Sequence, residues 1–147
     1  MKHWLLLSGC LFAAAAAHAA GNSVTVADAW VRWLPGDLPA GGYATIANHS
    51  ATAIRLLEAD SPDYAMVMLH RSVQRDGVEK MESVDGMDVP AQGSAKLAPG
   101  GYHLMLMQPR HTIAPGDHVQ LRLHFSDGET VESDFAVRPA TAQDSTH

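Results

Sequence analysis

Two histidines and two methionines in the middle of the chain have the types and the spacing of a soft-metal site. They follow the pattern His-x10-Met-x21-His-x-Met, and we call them the His/Met set: His70, Met81, His103 and Met105. Thioether sulfur and neutral imidazole favour Cu(I) over Mg²⁺, Ca²⁺ or Mn²⁺. Because a thioether has no proton to lose and cannot form a disulfide, such a set can work in an oxidising compartment. The pattern therefore predicts a site for reduced copper outside the cytoplasm.

The strands that carry these residues decide whether one ion can reach all of them. Side chains two apart on a strand lie on the same side, so His103 and Met105 can bind one ion together. Met81 lies in the segment after the Asp76-Gly77 turn, which can fold back towards His70. Three further methionines share faces with the His/Met set and can line the site, although packing in the core or at its rim is the favoured interpretation for them: Met66, Met68 and Met107.

The start of the chain has the pattern of a secretory signal. An apolar stretch over 5–17 leads to an A-x-A cleavage signal at Ala17-His18-Ala19, which predicts a signal peptide over 1–20 and a periplasmic mature protein. The single cysteine, Cys10, lies within this signal. The run Leu7-Ser8-Gly9-Cys10 resembles a lipoprotein processing box, so a lipid anchor on Cys10 is the alternative to ordinary cleavage.

Length and charge limit the size of the fold and its partners. The 147 residues are enough for one domain. Cleavage after residue 20 removes Lys2 and leaves nine Lys/Arg against sixteen Asp/Glu, a formal charge of −7. The chain has no basic run or stripe, so neither nucleic acid nor an anionic membrane surface is expected as a partner. No segment after the signal approaches the length of a spanning helix, so no membrane span is expected.

Turn residues recur about every ten residues after the signal, as is typical of an all-β sandwich or barrel. Pairs such as Asp76-Gly77 and Pro115-Gly116 separate short segments rich in β-branched and aliphatic residues. No segment keeps the 3.6-residue period of a helix. We predict one all-β domain over 21–137 and a disordered tail over 138–147. The candidate strands are 22–27, 29–33, 42–48, 53–59, 65–71, 77–84, 94–97, 101–107, 117–125 and 129–137.

The chain resembles the periplasmic copper chaperones of the PCuAC family. The family's hallmark is His-x10-Met-x21-His-x-Met, which the His/Met set matches at every interval. The resemblance covers most of the mature chain and includes the closing strands. Its other motifs are Ala29-Trp30-Val31-Arg32, Gly42-Tyr43-Ala44, Asn48-His49 and Pro99-Gly100-Gly101-Tyr102-His103-Leu104-Met105.

This resemblance implies a single cupredoxin-like Greek-key β-sandwich that binds one Cu(I) per chain through the His/Met set. It also implies delivery of that copper to the copper centre of cytochrome c oxidase, with an oxidase subunit or an assembly factor as recipient, and we expect a monomer. Two departures from the family matter. Arg71 stands where many members have a methionine directly after the first histidine, so an extra thioether is missing. The predicted tail lacks the Met/His-rich extension of some members, so no Cu(II) site is expected there.

Several other functions are compatible with a β-sandwich, since sandwiches host many. Copper storage or resistance is one alternative, and a structural module without metal is another. An electron-transfer cupredoxin needs a cysteine thiolate beside two histidines, which the predicted mature chain lacks. A copper oxygenase with an N-terminal histidine would require cleavage after Ala17 to expose His18. No hydrolytic triad, phosphate loop or paired-carboxylate motif stands out, so no enzyme is predicted. We assign the remaining mature histidines to the surface: His49, His111, His118, His124 and His147.

Overall fold

Every regular element in the part of the chain that the computed structural model describes, residues 22–143, is a β-strand. No helix occurs within this range, so the predicted all-β fold class is confirmed. The strands in chain order are β1 (Val24–Arg32), β2 (Ala40–Asn48), β3 (Ile54–Asp60), β4 (Tyr64–Arg75), β5 (Val78–Ser83), β6 (Met87–Val89), β7 (Gly93–Leu97), β8 (Tyr102–Pro109), β9 (His118–Phe125) and β10 (Thr130–Arg138).

The strands form one hydrogen-bonded sheet in the order β5-β4-β8-β2-β1-β10-β9-β3-β6, and β7 pairs with β2 beside this path. β1 and β10 run parallel, and the other pairings are antiparallel. Leu69 on β4 and Leu121 on β9 stand far apart in this order, yet both belong to one buried cluster. The sheet therefore folds over a shared core, which is the sandwich arrangement that the turn spacing predicts.

Alternation of apolar and polar residues decides which face of each strand is buried. On β9, Val119, Leu121 and Leu123 are fully buried. The alternate residues His118 and Arg122 are exposed. Each such apolar side chain contributes about 1.5–3 kcal/mol when it leaves water. The core therefore depends on the period-two pattern that is visible in the sequence.

β1 is one strand where the sequence pattern predicts two. Asp28 has a φ of 51°, and the pairing with β2 shifts register between Ala27 and Trp30. An extra residue at such a shift is a β-bulge, which bends a strand without ending it. Beyond the bulge, Trp30 and Val31 are both buried in the domain. A bulge and a turn use the same small polar residues, which is why the pattern around Asp28 predicts a break.

β6 has no counterpart among the predicted strands. It is only 3 residues long, too short to show a period. It nevertheless pairs with β3, where Val89 lies opposite Ile54 and Met87 lies opposite Leu56. All four side chains are buried, so this short strand closes one end of the core.

β10 extends one residue into the predicted tail, because Arg138 still pairs with Arg32 of β1. The Ala142 N–H donates to the Pro139 carbonyl at 2.9 Å, and the Arg32 guanidinium donates to the Ala142 carbonyl at 3.1 Å. The start of the tail is thus hydrogen-bonded to the domain, and its predicted disorder stays a prediction for 144–147, outside the described residues. The signal peptide predicted over 1–20 also lies outside them. Between residues 22 and 143 there is no helix long and apolar enough to cross a membrane.

Candidate metal centre

The His/Met set lies on three adjacent strands, β5, β4 and β8. In the antiparallel pairing of β4 with β8, His70 lies directly opposite His103, and Met68 lies directly opposite Met105. Directly opposed residues share a face of the sheet, with Cβ atoms about 4.5–5.5 Å apart. The register therefore brings His70, His103 and Met105 together on one face, although 33 positions separate the two histidines in the chain.

Met81 reaches the same face from the edge strand β5. Ser83 lies opposite His70, and Met81 lies opposite Ser72, so Met81 is the diagonal neighbour of His70. Diagonal neighbours are about 7–8 Å apart, which a methionine side chain can span. Met81 is 57% exposed, whereas His70 is 9% and His103 is 5% exposed. The structure thus places all four members on one face, with Met81 at the side open to solvent.

The opposite face of the same strands holds them to the core. Leu69, Leu104 and Leu106 are buried there, each next to a residue of the other face. Because neighbouring residues on a strand point to opposite sides, packing on the core face fixes the backbone beneath the site. A site built on packed strands is held more rigidly than one on loops.

The ring of His103 has one nitrogen held and one free. Its Nδ1 is 3.1 Å from the carbonyl oxygen of Gly101. A carbonyl can only accept, so Nδ1 carries the proton and donates, which leaves a lone pair on Nε2. That Nε2 atom is buried and has no hydrogen-bond partner. In metal sites a histidine ligand is usually oriented by such a bond from its other ring nitrogen.

The ring of His70 repeats this arrangement with the nitrogens exchanged. Its Nε2 is 3.2 Å from the hydroxyl oxygen of Ser83, and its Nδ1 is buried without a partner. When Nε2–H donates to Ser83, the lone pair of Nδ1 is free to bind a metal. The two rings meet edge to face, with centroids 5.9 Å apart and planes at 76°.

Two buried nitrogens without partners need a physical reason. Leaving a buried polar atom unpaired costs about 1–3 kcal/mol. Here the two orphaned atoms, His70 Nδ1 and His103 Nε2, belong to opposed residues on the face that also carries Met81 and Met105. A soft metal ion accepts lone pairs from imidazole and thioether alike, so this donor set fits such an ion.

Burial also favours the form of His70 that can bind a metal. It lowers the pKa of His70 below the usual value of 6.5, and the positive charge of a protonated His103 would lower that pKa further. A metal ligand must be neutral imidazole. His70 is therefore held in the ligand form at neutral pH.

Other histidines of the domain contact carboxylates or hydroxyls instead. His111 pairs with Asp63 at 2.8 Å, and His118 pairs with Asp134 at 2.7 Å. His124 bonds to Asp60, and His49 lies 2.9 Å from the Thr25 hydroxyl. Over residues 22–143, no group of three or more His, Cys, Asp or Glu side chains is placed to hold a metal ion. The candidate centre therefore depends on the methionines.

Two supporting groups were not found from the sequence. Ser83 is two residues after Met81, a position that the strand period places on the same face, but its meeting with His70 depends on the β4–β5 register. The Gly101 carbonyl, two residues before His103, belongs to the backbone and leaves no side-chain signal.

Comparison with known proteins agrees with this fold. Residues 24–137 match the family described as "LpqE-like: Putative lipoprotein LpqE-like". The chain is 32% identical over 110 residues to "Putative lipoprotein Lxx21020" of Leifsonia xyli subsp. xyli, a match that covers 74% of this chain. It covers 66% of that relative, so this chain corresponds to just under two thirds of the curated protein.

Solved structures share the same architecture. The "Copper-bound PCuAC domain from PmoF2" superposes with a TM-score of 0.65 at 24% identity, over 80% of this chain and 94% of that one. The Cu(I) form of DR1885 from Deinococcus radiodurans gives a TM-score of 0.64 at 30% identity, over 83% of each chain. These likenesses show that the sandwich is the cupredoxin-like fold of PCuAC domains.

Proposed function

Since the chain belongs to the LpqE-like family, which corresponds to the PCuAC group, we propose that it binds Cu(I) at the His/Met set and hands it on as a metallochaperone outside the cytoplasm. One observation carries this proposal. Two buried imidazole nitrogens without partners belong to a cross-strand pair on the face that also presents two thioethers. DR1885, which is 30% identical, was solved as a Cu(I) form. One ion per chain satisfies both free nitrogens.

The four ligands suit transfer better than permanent storage. Cu(I) favours soft donors, and none of these ligands carries a charge that would hold the ion against a partner's thiolate or imidazole. Met81 is 57% exposed at the edge strand, so an incoming ligand can replace its sulfur first. The two histidines keep the ion until that exchange has begun, because both rings are buried and each is oriented by a contact at its other ring nitrogen. The reaction is ligand exchange, and the chain makes or breaks no bond of a substrate.

The test of copper binding is an anaerobic titration of residues 21–147 with Cu(I) against a chromophoric Cu(I) chelator. We expect one tight equivalent per chain. A structural module without metal would leave the chelator fully loaded, and that result would end the proposal.

We propose the copper centre of cytochrome c oxidase as the destination, on the strength of the PCuAC resemblance. When the copper-loaded protein is mixed with the soluble copper-binding domain of an oxidase subunit, it should transfer its ion to that domain. The absorption spectrum of the recipient measures the transfer. A storage protein would keep its Cu(I) when equimolar recipient is added, which would favour the alternative function of storage or resistance.

The location is proposed to be extracytoplasmic, with ordinary signal cleavage before residue 21. Mass spectrometry of the protein from its host distinguishes the two forms of processing. An unmodified N-terminus at Ala20 or Gly21 supports a soluble periplasmic protein. A diacylglyceryl group on Cys10 would instead place the same domain on a membrane, as the family's lipoprotein description suggests.

Substitution of Ser83 by alanine should weaken Cu(I) binding about tenfold, the lower end of the range for groups that orient a metal ligand. When His70 Nε2–H donates to the Ser83 hydroxyl, the Nδ1 lone pair is free for the ion, and without this acceptor the tautomer that binds through Nδ1 loses its support. The ¹⁵N shifts of the ring should show a mixture of tautomers in the variant. Ser94→Ala on β7 is the matched control, since Ser94 is an exposed strand serine away from the set. Equal affinity and an unchanged tautomer in Ser83→Ala would show that Ser83 has no such role.

The Cu(I) affinity should fall at acidic pH, where His70 protonates, because burial lowers the pKa of His70 below its usual value of 6.5. Protons compete with the ion for the imidazole nitrogens. Because burial lowers the pKa of His70, its neutral form persists to a more acidic pH than that of a free histidine, and the part of the loss that comes from His70 is shifted to more acidic pH. Competition titrations at half-unit steps between pH 7.5 and 5 measure this. An affinity that is flat down to pH 5 would show that thioethers alone bind the ion.

A further inference from the structure

Beyond the His/Met set, the same face of β4 and β8 carries more thioethers. Met66 lies directly opposite Met107, one step along the strands from the pair formed by Met68 and Met105. Successive residues on one face of a strand are about 7 Å apart. The face thus presents three rungs in a row, of which the first is two histidines and the next two are methionine pairs.

These methionines do not serve the core. Met66 is 43% exposed, and Met68 and Met107 are only partly buried. The core side of the same strands is already filled by Val67 and Leu106. A strand face turned to water normally carries polar residues. Met87, by contrast, is 2% exposed and fills the core in the way that methionine usually does.

We propose that Met66, Met68 and Met107 form a second Cu(I) site, which we call the methionine site, next to the His/Met set. Met66 and Met107 are directly opposed, and Met68 is adjacent to Met66 on β4 and diagonal to Met107, so three sulfurs can surround one ion. Three neutral thioethers select a soft monovalent ion over Zn²⁺ or Cu²⁺. The methionine site rests on the proposed function only in that both sites take the same ion.

The methionine site binds more weakly than the His/Met set. It has no imidazole ligand. Its side chains are also partly exposed to solvent, so binding an ion must restrict their conformational freedom. Met68 of the methionine site lies directly opposite Met105 of the His/Met set. An ion can therefore pass from the exposed methionine site to the buried histidines by exchanging one sulfur at a time. The weaker, more exposed site would collect the ion, and the His/Met set would retain it.

The test is a titration of the mature protein, labelled with ¹³C at the methionine methyl groups, with Ag(I) and then anaerobically with Cu(I). Ag(I) is a redox-inert substitute for Cu(I). We expect the Met81 and Met105 signals to shift up to one equivalent, and the Met66 and Met107 signals to shift between one and two. Met87 is the internal control, whose signal should stay in place because it is buried in the core on β6.

The double variant Met66→Leu/Met107→Leu tests the same assignment without labels. Leucine keeps the volume and the apolar character at two sites outside the core, so the fold is retained. The variant should lose the second equivalent and keep the affinity of the first. Failure of the proposed function has a different signature, since Met81 and Met105 would then not respond to the first equivalent. Methyl signals of Met66 and Met107 that stay unchanged up to two equivalents, or a second equivalent that survives in the double variant, would overturn the methionine site.

Discussion

The double variant His70→Ala/Met105→Leu should bind Cu(I) at least about a hundredfold more weakly than the natural protein, the upper end of what loss of a merely supporting group costs. It removes one imidazole and one thioether from two different strands, so no pair of adjacent ligands remains intact. The fold should survive, because neither side chain belongs to the apolar core cluster. Loss of His70 also removes one buried nitrogen that has no partner in the metal-free protein. Anaerobic competition with a chromophoric Cu(I) chelator measures the affinity, and circular dichroism checks the fold.

Two matched controls separate ligand loss from a general effect of substitution. Met87→Leu exchanges a methionine that is 2% exposed in the core, and His118→Ala removes a histidine that is paired with Asp134 at the surface. Both controls should bind Cu(I) as the natural protein does. If the double variant also kept that affinity, the ion would have to bind elsewhere in the chain, and the assignment of the His/Met set would be wrong.

Substitution of Leu104 by alanine should lower the free energy of unfolding by about 2–5 kcal/mol. Leu104 is fully buried and lies between His103 and Met105 on β8, on the opposite face. The truncation removes apolar contacts and leaves a cavity that packed neighbours cannot fill completely. Urea unfolding of the metal-free protein, followed by tryptophan fluorescence, measures the change.

Val78→Ala is the control for this second prediction. Val78 is a strand residue that is 56% exposed on β5, so its truncation should change stability by no more than about 0.5 kcal/mol. A Leu104→Ala variant as stable as Val78→Ala would show that the core face of β8 does not hold the site in place. Addition of Cu(I) should raise the stability of Leu104→Ala, because an ion that binds only the folded state stabilises it.

The faces of the strands were predictable from the sequence, and their pairing was not. The period of two places His103 and Met105 on one side of β8 and Leu104 on the other, as the structure shows. The opposition of His70 and His103 is a long-range register, set by packing of the whole sheet. No local pattern encodes that register, although the spacing of the family motif reflects it.

Three features of the structure have no clear signal in the sequence: the bulge in β1, the short strand β6 and the contact of the Gly101 carbonyl. Asp28 and Gln108 have positive φ values of 51° and 56°, and side chains of this type occur in turns as well as in bulges. The bulge at Asp28 joined two predicted strands into one. β6 was missed because its 3 residues are recognisable only by their partner β3. The supporting Gly101 carbonyl was missed because backbone atoms are common to every residue.

The pairing of β1 with β2, and of β2 with β8, places the start of the domain far from the His/Met set. Val31 lies opposite Gly42, which in turn lies opposite Leu104, so the His/Met set is level with the far end of β1. Val24 is seven residues back along that strand, or about 23 Å. A tether attached upstream of Val24, whether lipid or linker, would therefore hold the domain by its distal end. The rim that carries the His/Met set would then point away from the anchoring surface.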